Sequence, residues 1–174
     1  MNENSGRSIC LIGMPGSGKS TVGVLLAKHT GLAFVDTDLL IQEQESATLA
    51  EIVSAKGQQG LLDIEEQVLL DMPIRPSVIS TGGSVVYSEE VMNRLAAHAT
   101  IIYLQARLDT VKYRISLAPD RGIASPGDQT IEDVFRERIP LYERHAELTI
   151  DVDDVLPTSV VKGIIAKLSV WLQT

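Results

Sequence analysis

Short apolar runs alternate along this chain with longer stretches whose apolar positions recur every three or four residues. "SICLIG", "LAFVD", "SVISTGG", "TIIYLQA" and "ELTIDV" read as five strands. Helical spacing covers 19–30, 49–55, 61–72, 91–97, 108–117, 130–146 and 158–172. In the first of these, Val22, Leu25, Leu26 and His29 share one side. Strands that are apolar throughout and separated by helices predict an α/β fold, a parallel sheet covered on both faces. Neither an internal repeat nor a linker interrupts the pattern, so residues 1–174 form one domain. One stretch breaks the rhythm. "APDRGIASPGDQT", 118–130, is rich in Gly, Pro, Ser and Asp and longer than a usual connection, which marks it as a lid.

The turn after the first strand adds chemistry. "GMPGSGKS", running from Gly13 through Pro15, Gly16, Ser17, Gly18 and Lys19 to Ser20, fits G-x-x-x-x-G-K-[ST]. Gly16 and Gly18 let the backbone curl so that several N–H groups point inward. The following helix aims its positive end at phosphate. Lys19 supplies a point charge for the β- and γ-phosphates and the Ser20 hydroxyl a ligand for Mg²⁺. A strand before the motif and a helix after it are the context this phosphate-binding loop requires. No guanine-reading N-K-x-D segment follows, and the chain is too short for a motor or helicase. What remains is a small nucleotide-dependent kinase.

Composition narrows the partners. The net charge is −8, and no run of basic residues offers a footprint for nucleic acid. The start, "MNENSGRS", lacks the basic and apolar regions of a signal peptide, and no apolar run approaches the ~18 residues of a membrane span. A cytoplasmic protein with a small-molecule substrate, no nucleic-acid partner and no membrane is the expectation. The single cysteine, Cys10, sits in an apolar strand and reads as a buried small hydrophobe.

"VDTD" ends the second strand, so Asp36 and Asp38 fall at the carboxyl edge of the sheet, where open α/β sheets bind ligands. A carboxylate there can hold a hydroxyl, accept its proton or bind Mg²⁺; Asp38 can equally serve as the N-cap of the next helix. "STGGS" ends the third strand with two glycines that admit a close approach of substrate to backbone, or that form an ordinary turn. Arg114 and Arg138 lie on helices, where most arginines are solvated. Arg121 stands out because it lies in the lid segment between Asp120 and Gly122.

Taken in order, "GMPGSGKST", "DTD", "TGG", "DRGIA" and "RERIPLYERHAEL" resemble the shikimate kinase family over nearly the whole chain. The resemblance implies a P-loop, nucleoside-monophosphate-kinase-like three-layer fold. Its five-stranded parallel sheet carries helices on both faces, a helical substrate-binding region at about 38–72 and a lid at about 118–130. It also implies transfer of the γ-phosphoryl group of ATP to the 3-hydroxyl of shikimate, within aromatic amino-acid biosynthesis, by a monomer. Carried over residue by residue, Gly13 to Ser20 and Thr21 form the ATP cradle, and Asp36 holds Mg²⁺ through water. Asp38 binds and activates the acceptor hydroxyl, and Gly82 and Gly83 lie beside the substrate ring. Arg121 reaches the phosphates, Arg114 lies near the adenine, and Arg138 holds the shikimate carboxylate. Lys19, Asp38 and Arg121 are the catalytic set.

The family pattern F-R-x-x-E is "LLDIE" here, with Leu61 for the aromatic, Leu62 for the second carboxylate-holding arginine and Glu65 for the glutamate that positions it. The family's third glycine is Ser84. Loss of a charge-assisted pair costs about 1.5–3 kcal/mol per hydrogen bond, so another cation, with Lys56 and Arg75 nearest in sequence, must replace it or the acceptor differs. The alternatives are a related kinase of another polyol or hydroxy acid, and a catalytically silent nucleotide-binding paralogue.

Overall fold

The computed structural model describes residues 7–117 and 129–171. Five strands, β1 (Ser8–Ile12), β2 (Ala33–Asp36), β3 (Ser77–Ser80), β4 (Ala99–Gln105) and β5 (Leu148–Asp151), form one parallel sheet in the order β2-β3-β1-β4-β5. The helices are α1 (Lys19–Thr30), α2 (Thr37–Glu45), α3 (Leu49–Asp71), α4 (Glu89–His98), α5 (Leu108–Ser116), α6 (Ile131–His145) and α7 (Pro157–Trp171). All five strands and every helix but α2 fall where the hydrophobic pattern places them, within a few residues. The α/β class therefore follows from the periodicity.

The central strands β1 and β3 are buried along their whole length, and β4 is buried except at Gln105. Inner strands are covered on both faces, so alternation disappears from their sequence. Cys10 lies in this core, fully buried, and loss of hydration pushes its thiol up to about 12. It is a packing residue, as its apolar neighbours predict.

Two local features depart from the pattern. The helices expected over 49–55 and 61–72 form one element, α3, broken at Gly57, whose φ of 74° and ψ of 177° leave the helical region. Glycine supplies that left-handed φ without a Cβ penalty. A short 3-10 turn, Val85–Tyr87, follows β3 where no element is expected.

Thr48 opens α3 and Thr130 opens α6 with reciprocal capping boxes to Glu51 and Asp133. Only Gln129 and Thr130 of the expected lid are described; 118–128, with Arg121, lie outside the described residues. No helix of the described residues is long and apolar enough to cross a membrane.

Strand order decides where a ligand can sit. The connection from β1 leads to β2 on one side of β1, and the connection from β3 leads across β1 to β4 on the other. The crevice this reversal opens at the carboxyl ends lies between β1 and β3. The glycine-rich loop leaves from there.

Candidate active site

The loop between β1 and α1 is shaped by three left-handed glycines, Gly13 (φ 144°), Gly16 (φ 80°) and Gly18 (φ 95°). A Cβ on Gly13 would stand 2.7 Å from the Leu104 carbonyl oxygen, so only glycine fits beside β4. Gly18 is the N-cap of α1 and offers no side-chain acceptor to the first amides of that helix. Helix-start amides without such an acceptor suit a bound anion. The Lys19 ammonium, almost fully buried, donates to the Gly13 carbonyl at 2.8 Å and the Met14 carbonyl at 2.9 Å. These contacts fold the lysine over the loop it serves. Ser17 is buried within the loop, and Thr21 is exposed beside Ser20.

The donor set at the adjoining sheet edge fits Mg²⁺. Asp36 pairs with Ser80 in the β2–β3 register, and Ser20 Oγ lies 3.4 Å from Ser80 Oγ. One carboxylate and two hydroxyls are the hard oxygen donors this ion takes. Among the described residues, no cluster of three or more His, Cys, Asp or Glu side chains offers a different metal site.

Asp36 rather than Asp38 caps α2. Its Oδ1 accepts from the Asp38 backbone N at 3.1 Å. The capping role open to Asp38 in the sequence is thereby ruled out, and its side chain lines the cavity. That cavity, about 380 Å³, runs from Pro15, Gly16, Gly18, Lys19 and Ser20 past Asp38 to Gly82, Gly83 and Arg138. Helices α2 and α3 supply its apolar wall through Ile41, Leu49, Ala50, Val53 and Leu61. Phosphate loop and acceptor candidates therefore share one enclosure.

Gly82 and Gly83 lie where a side chain would displace its neighbours. The Gly82 N–H donates to Thr37 Oγ1 at 3.1 Å, tying this turn to the start of α2. A Cβ on Gly82 would fall 2.0 Å from Glu65 Oε1, and one on Gly83 would fall 2.8 Å from Pro15 and 3.0 Å from Arg138 Nη1. The Gly83 carbonyl accepts from the Tyr142 hydroxyl at 2.5 Å. Arg138 is fully buried; its Nε donates to the Tyr87 hydroxyl at 3.1 Å, and its guanidinium lies 4.9 Å from the Tyr87 ring centroid. A buried, aromatic-backed cation at the cavity wall suits a carboxylate.

Arg114 takes a bracing position. Its guanidinium donates to the Gly16 carbonyl and the Val152 carbonyl, both at 3.2 Å, linking the loop to the end of β5.

Neither candidate for a replacement cation reaches the cavity. Lys56 pairs with Glu45 at 2.5 Å on the surface, and Arg75 is exposed before β3. The cations among the described lining residues are Lys19 and Arg138. Leu62 faces a second cavity of about 230 Å³ that it shares with Glu65, Ser84 and Tyr87. Glu65 lines both cavities and so forms part of the wall between them. Ser84 Oγ donates to Glu65 Oε2, while Oε1 is buried with no hydrogen-bond partner among the described residues. Burial pushes this carboxyl up to about 7; the Ser84 hydrogen bond opposes that rise, as do Arg138 and Lys19, while the Asp38 charge adds to it.

Sequence reasoning missed Gln58, Tyr87 and Tyr142. Tyr87 and Tyr142 act through tertiary contacts with Arg138 and Gly83, which no local pattern records.

Comparison with known proteins agrees with this geometry. The shikimate kinase family profile matches residues 15–169. The shikimate kinase of Thermodesulfovibrio yellowstonii is 35% identical over 162 residues, covering 91% of this chain and 93% of that protein. The solved structure of shikimate kinase from Acinetobacter baumannii in complex with shikimate is 26% identical, covers 93% of this chain and 92% of its own, and superposes with a TM-score of 0.86. Shikimate kinase from Aquifex aeolicus, 27% identical with 93% and 96% covered, superposes at 0.74.

Proposed function

The chain belongs to the shikimate kinase family, and on that premise we propose that it phosphorylates shikimate with ATP, giving shikimate 3-phosphate and ADP. The observation that carries this reading is the single cavity in which the phosphate loop, Asp38 and Arg138 meet around Gly82 and Gly83.

The roles follow from position. The amides at the start of α1 and the Lys19 ammonium hold the nucleotide phosphates. Lys19 exchanges its two carbonyl contacts for phosphate oxygens when nucleotide arrives. Ser20 and Asp36 would hold Mg²⁺, which supplies charge neutralisation on the phosphates. Arg138 anchors the acceptor carboxylate and so turns the reacting hydroxyl toward Asp38. That hydroxyl oxygen attacks the γ-phosphorus, the bond from phosphorus to the β,γ-bridging oxygen breaks, and the hydroxyl proton passes to Asp38. Arg121, by its place in the sequence, would meet the developing phosphoryl charge, and Arg114 would border the adenine. Most of the catalysis is orientation and charge stabilisation in an enclosed site. The same reading carries a monomeric, cytoplasmic working form.

One observation favours a second reading, a related hydroxylated acceptor. The wall position that would hold a second cation carries Leu62, which faces away from the acceptor cavity. An ADP-release assay with ATP, Mg²⁺ and a panel of acceptors separates the two. Shikimate as the best acceptor, with Asp38→Asn inactive, supports the first. A different best acceptor supports the second, and ADP release from none of the panel overturns both.

A further inference from the structure

Glu65 has no part in the roles above, yet it is a carboxylate in the wall of the acceptor cavity. It is 5% exposed, and its Oε1 has no hydrogen-bond partner among the described residues. Glu65 and Arg138 line the same cavity, each beside one of two adjacent glycines. Oε1 lies 2.0 Å from the point a Cβ on Gly82 would occupy, and Arg138 Nη1 lies 3.0 Å from the corresponding point on Gly83. An acceptor carboxylate held by Arg138 then shares one cavity with the buried Glu65 carboxyl, and like charges withdrawn from water repel.

We propose that Glu65 is the acceptor-specificity residue of this site: ionised, it opposes a carboxylate on Arg138, so an anionic acceptor binds with uptake of one proton from solvent onto Glu65, whereas an uncharged acceptor binds without it. This rests on the reading of Arg138 as the acceptor anchor. The charged groups around Glu65 are Lys19 of α1, Asp38 of α2 and Arg138 of α6, with Asp63 and Glu66 of α3 itself beside the second cavity. The titratable hydroxyl of Tyr87 borders that second cavity as well. Ser84 Oγ, donating to Oε2, favours the ionised form. Because burial brings Glu65 to about 7, the exchange falls in the physiological range.

The sign follows. Below pH 7 Glu65 is already protonated in the free protein and an anionic acceptor binds with no proton change. Above pH 7 the proton must be taken up, and affinity falls as pH rises. The test is equilibrium titration of the full-length protein with shikimate, in the presence of ADP and Mg²⁺, from pH 6 to pH 8.5. Shikimate methyl ester serves as the uncharged comparison. Shikimate affinity is expected to fall about thirtyfold across this range, the linkage of one proton taken up above pH 7, and the ester to stay level. Glu65→Gln removes the pH dependence and keeps the tight limit. Ser84→Ala, which leaves the carboxylate but removes its donor, moves the inflection to higher pH. Shikimate binding that is level with pH in the unaltered protein, or a slope that survives in Glu65→Gln, overturns the proposal and leaves the shikimate reading standing. No shikimate binding at any pH, with no ADP formed, overturns that reading and the proposal together.

Discussion

Asp36 and Asp38, two residues apart in "VDTD", are separated in role by one hydrogen bond: the Asp38 backbone N–H donates to Asp36 Oδ1 at 3.1 Å. Asp36 caps the start of α2, and Asp38, one residue inside the helix, turns its side chain to the cavity. Asp38→Asn is therefore expected to lower turnover by about 10²–10⁴-fold, the worth of a general base, with nucleotide affinity and melting temperature unchanged. Asp36→Ala is expected to lose about 1 kcal/mol of stability with the cap and to raise the Mg²⁺ requirement. Thermal unfolding beside steady-state kinetics checks both. A melting loss in Asp38→Asn rather than Asp36→Ala would reverse the assignment.

Lys19 serves the loop as well as the phosphates. Lys19→Ala is expected to abolish turnover and, with two buried carbonyls left without their donor, to cost about 1–3 kcal/mol of stability without nucleotide. Chemical denaturation of the nucleotide-free protein measures it. An unchanged midpoint would show that the two contacts contribute nothing.

Tyr142 holds the Gly83 carbonyl from below the acceptor cavity. Tyr142→Phe keeps the ring that stacks on Tyr103 at 5.2 Å and removes the hydroxyl, with its bond to Gly83 and its contact with Arg138. The expected cost is about 0.5–1.5 kcal/mol, with a higher KM for the acceptor and an unaltered KM for ATP. Equal changes in both Michaelis constants would show that the tyrosine supports the fold alone.

Glu65 also sets a pH dependence of stability. Its folded-state value, about 7, lies above the ordinary 4.5, so its contribution is fully present below pH 4.5 and is lost as pH rises through 7. The difference corresponds to roughly 3 kcal/mol. Glu65→Gln should then gain melting temperature relative to the unaltered protein as pH rises from 4.5 to 7.5. A constant difference would place the raised value elsewhere.

Leu62 borders Glu65 from the second cavity. An arginine there would meet the Glu65 carboxylate from that side and cancel its charge. Leu62→Arg is expected to tighten shikimate about tenfold at pH 8, or about 1.4 kcal/mol, and to flatten the pH dependence. A steady-state titration of shikimate at saturating ATP reads the effect. No gain in affinity would show that the Glu65 charge does not limit binding.

The sequence by itself determined the sheet and the loop. Periodicity is imposed by burial face by face, so apolar strands and amphipathic helices announce themselves, although the joining of two expected helices into α3 across Gly57 does not. The P-loop is equally legible, because curling a backbone around phosphate needs glycine at fixed spacing. Tertiary structure alone decided which aspartate caps and which faces the acceptor, since either residue type can do either task. It also excluded Lys56 and Arg75 from the cavity and turned Leu62 toward the second one. It set Tyr87 behind Arg138 and joined Ser84 to Glu65 across 19 residues of chain. Those relationships are distances between segments brought together by the order β2-β3-β1-β4-β5, and a local pattern carries no record of which side chains will meet when distant strands align.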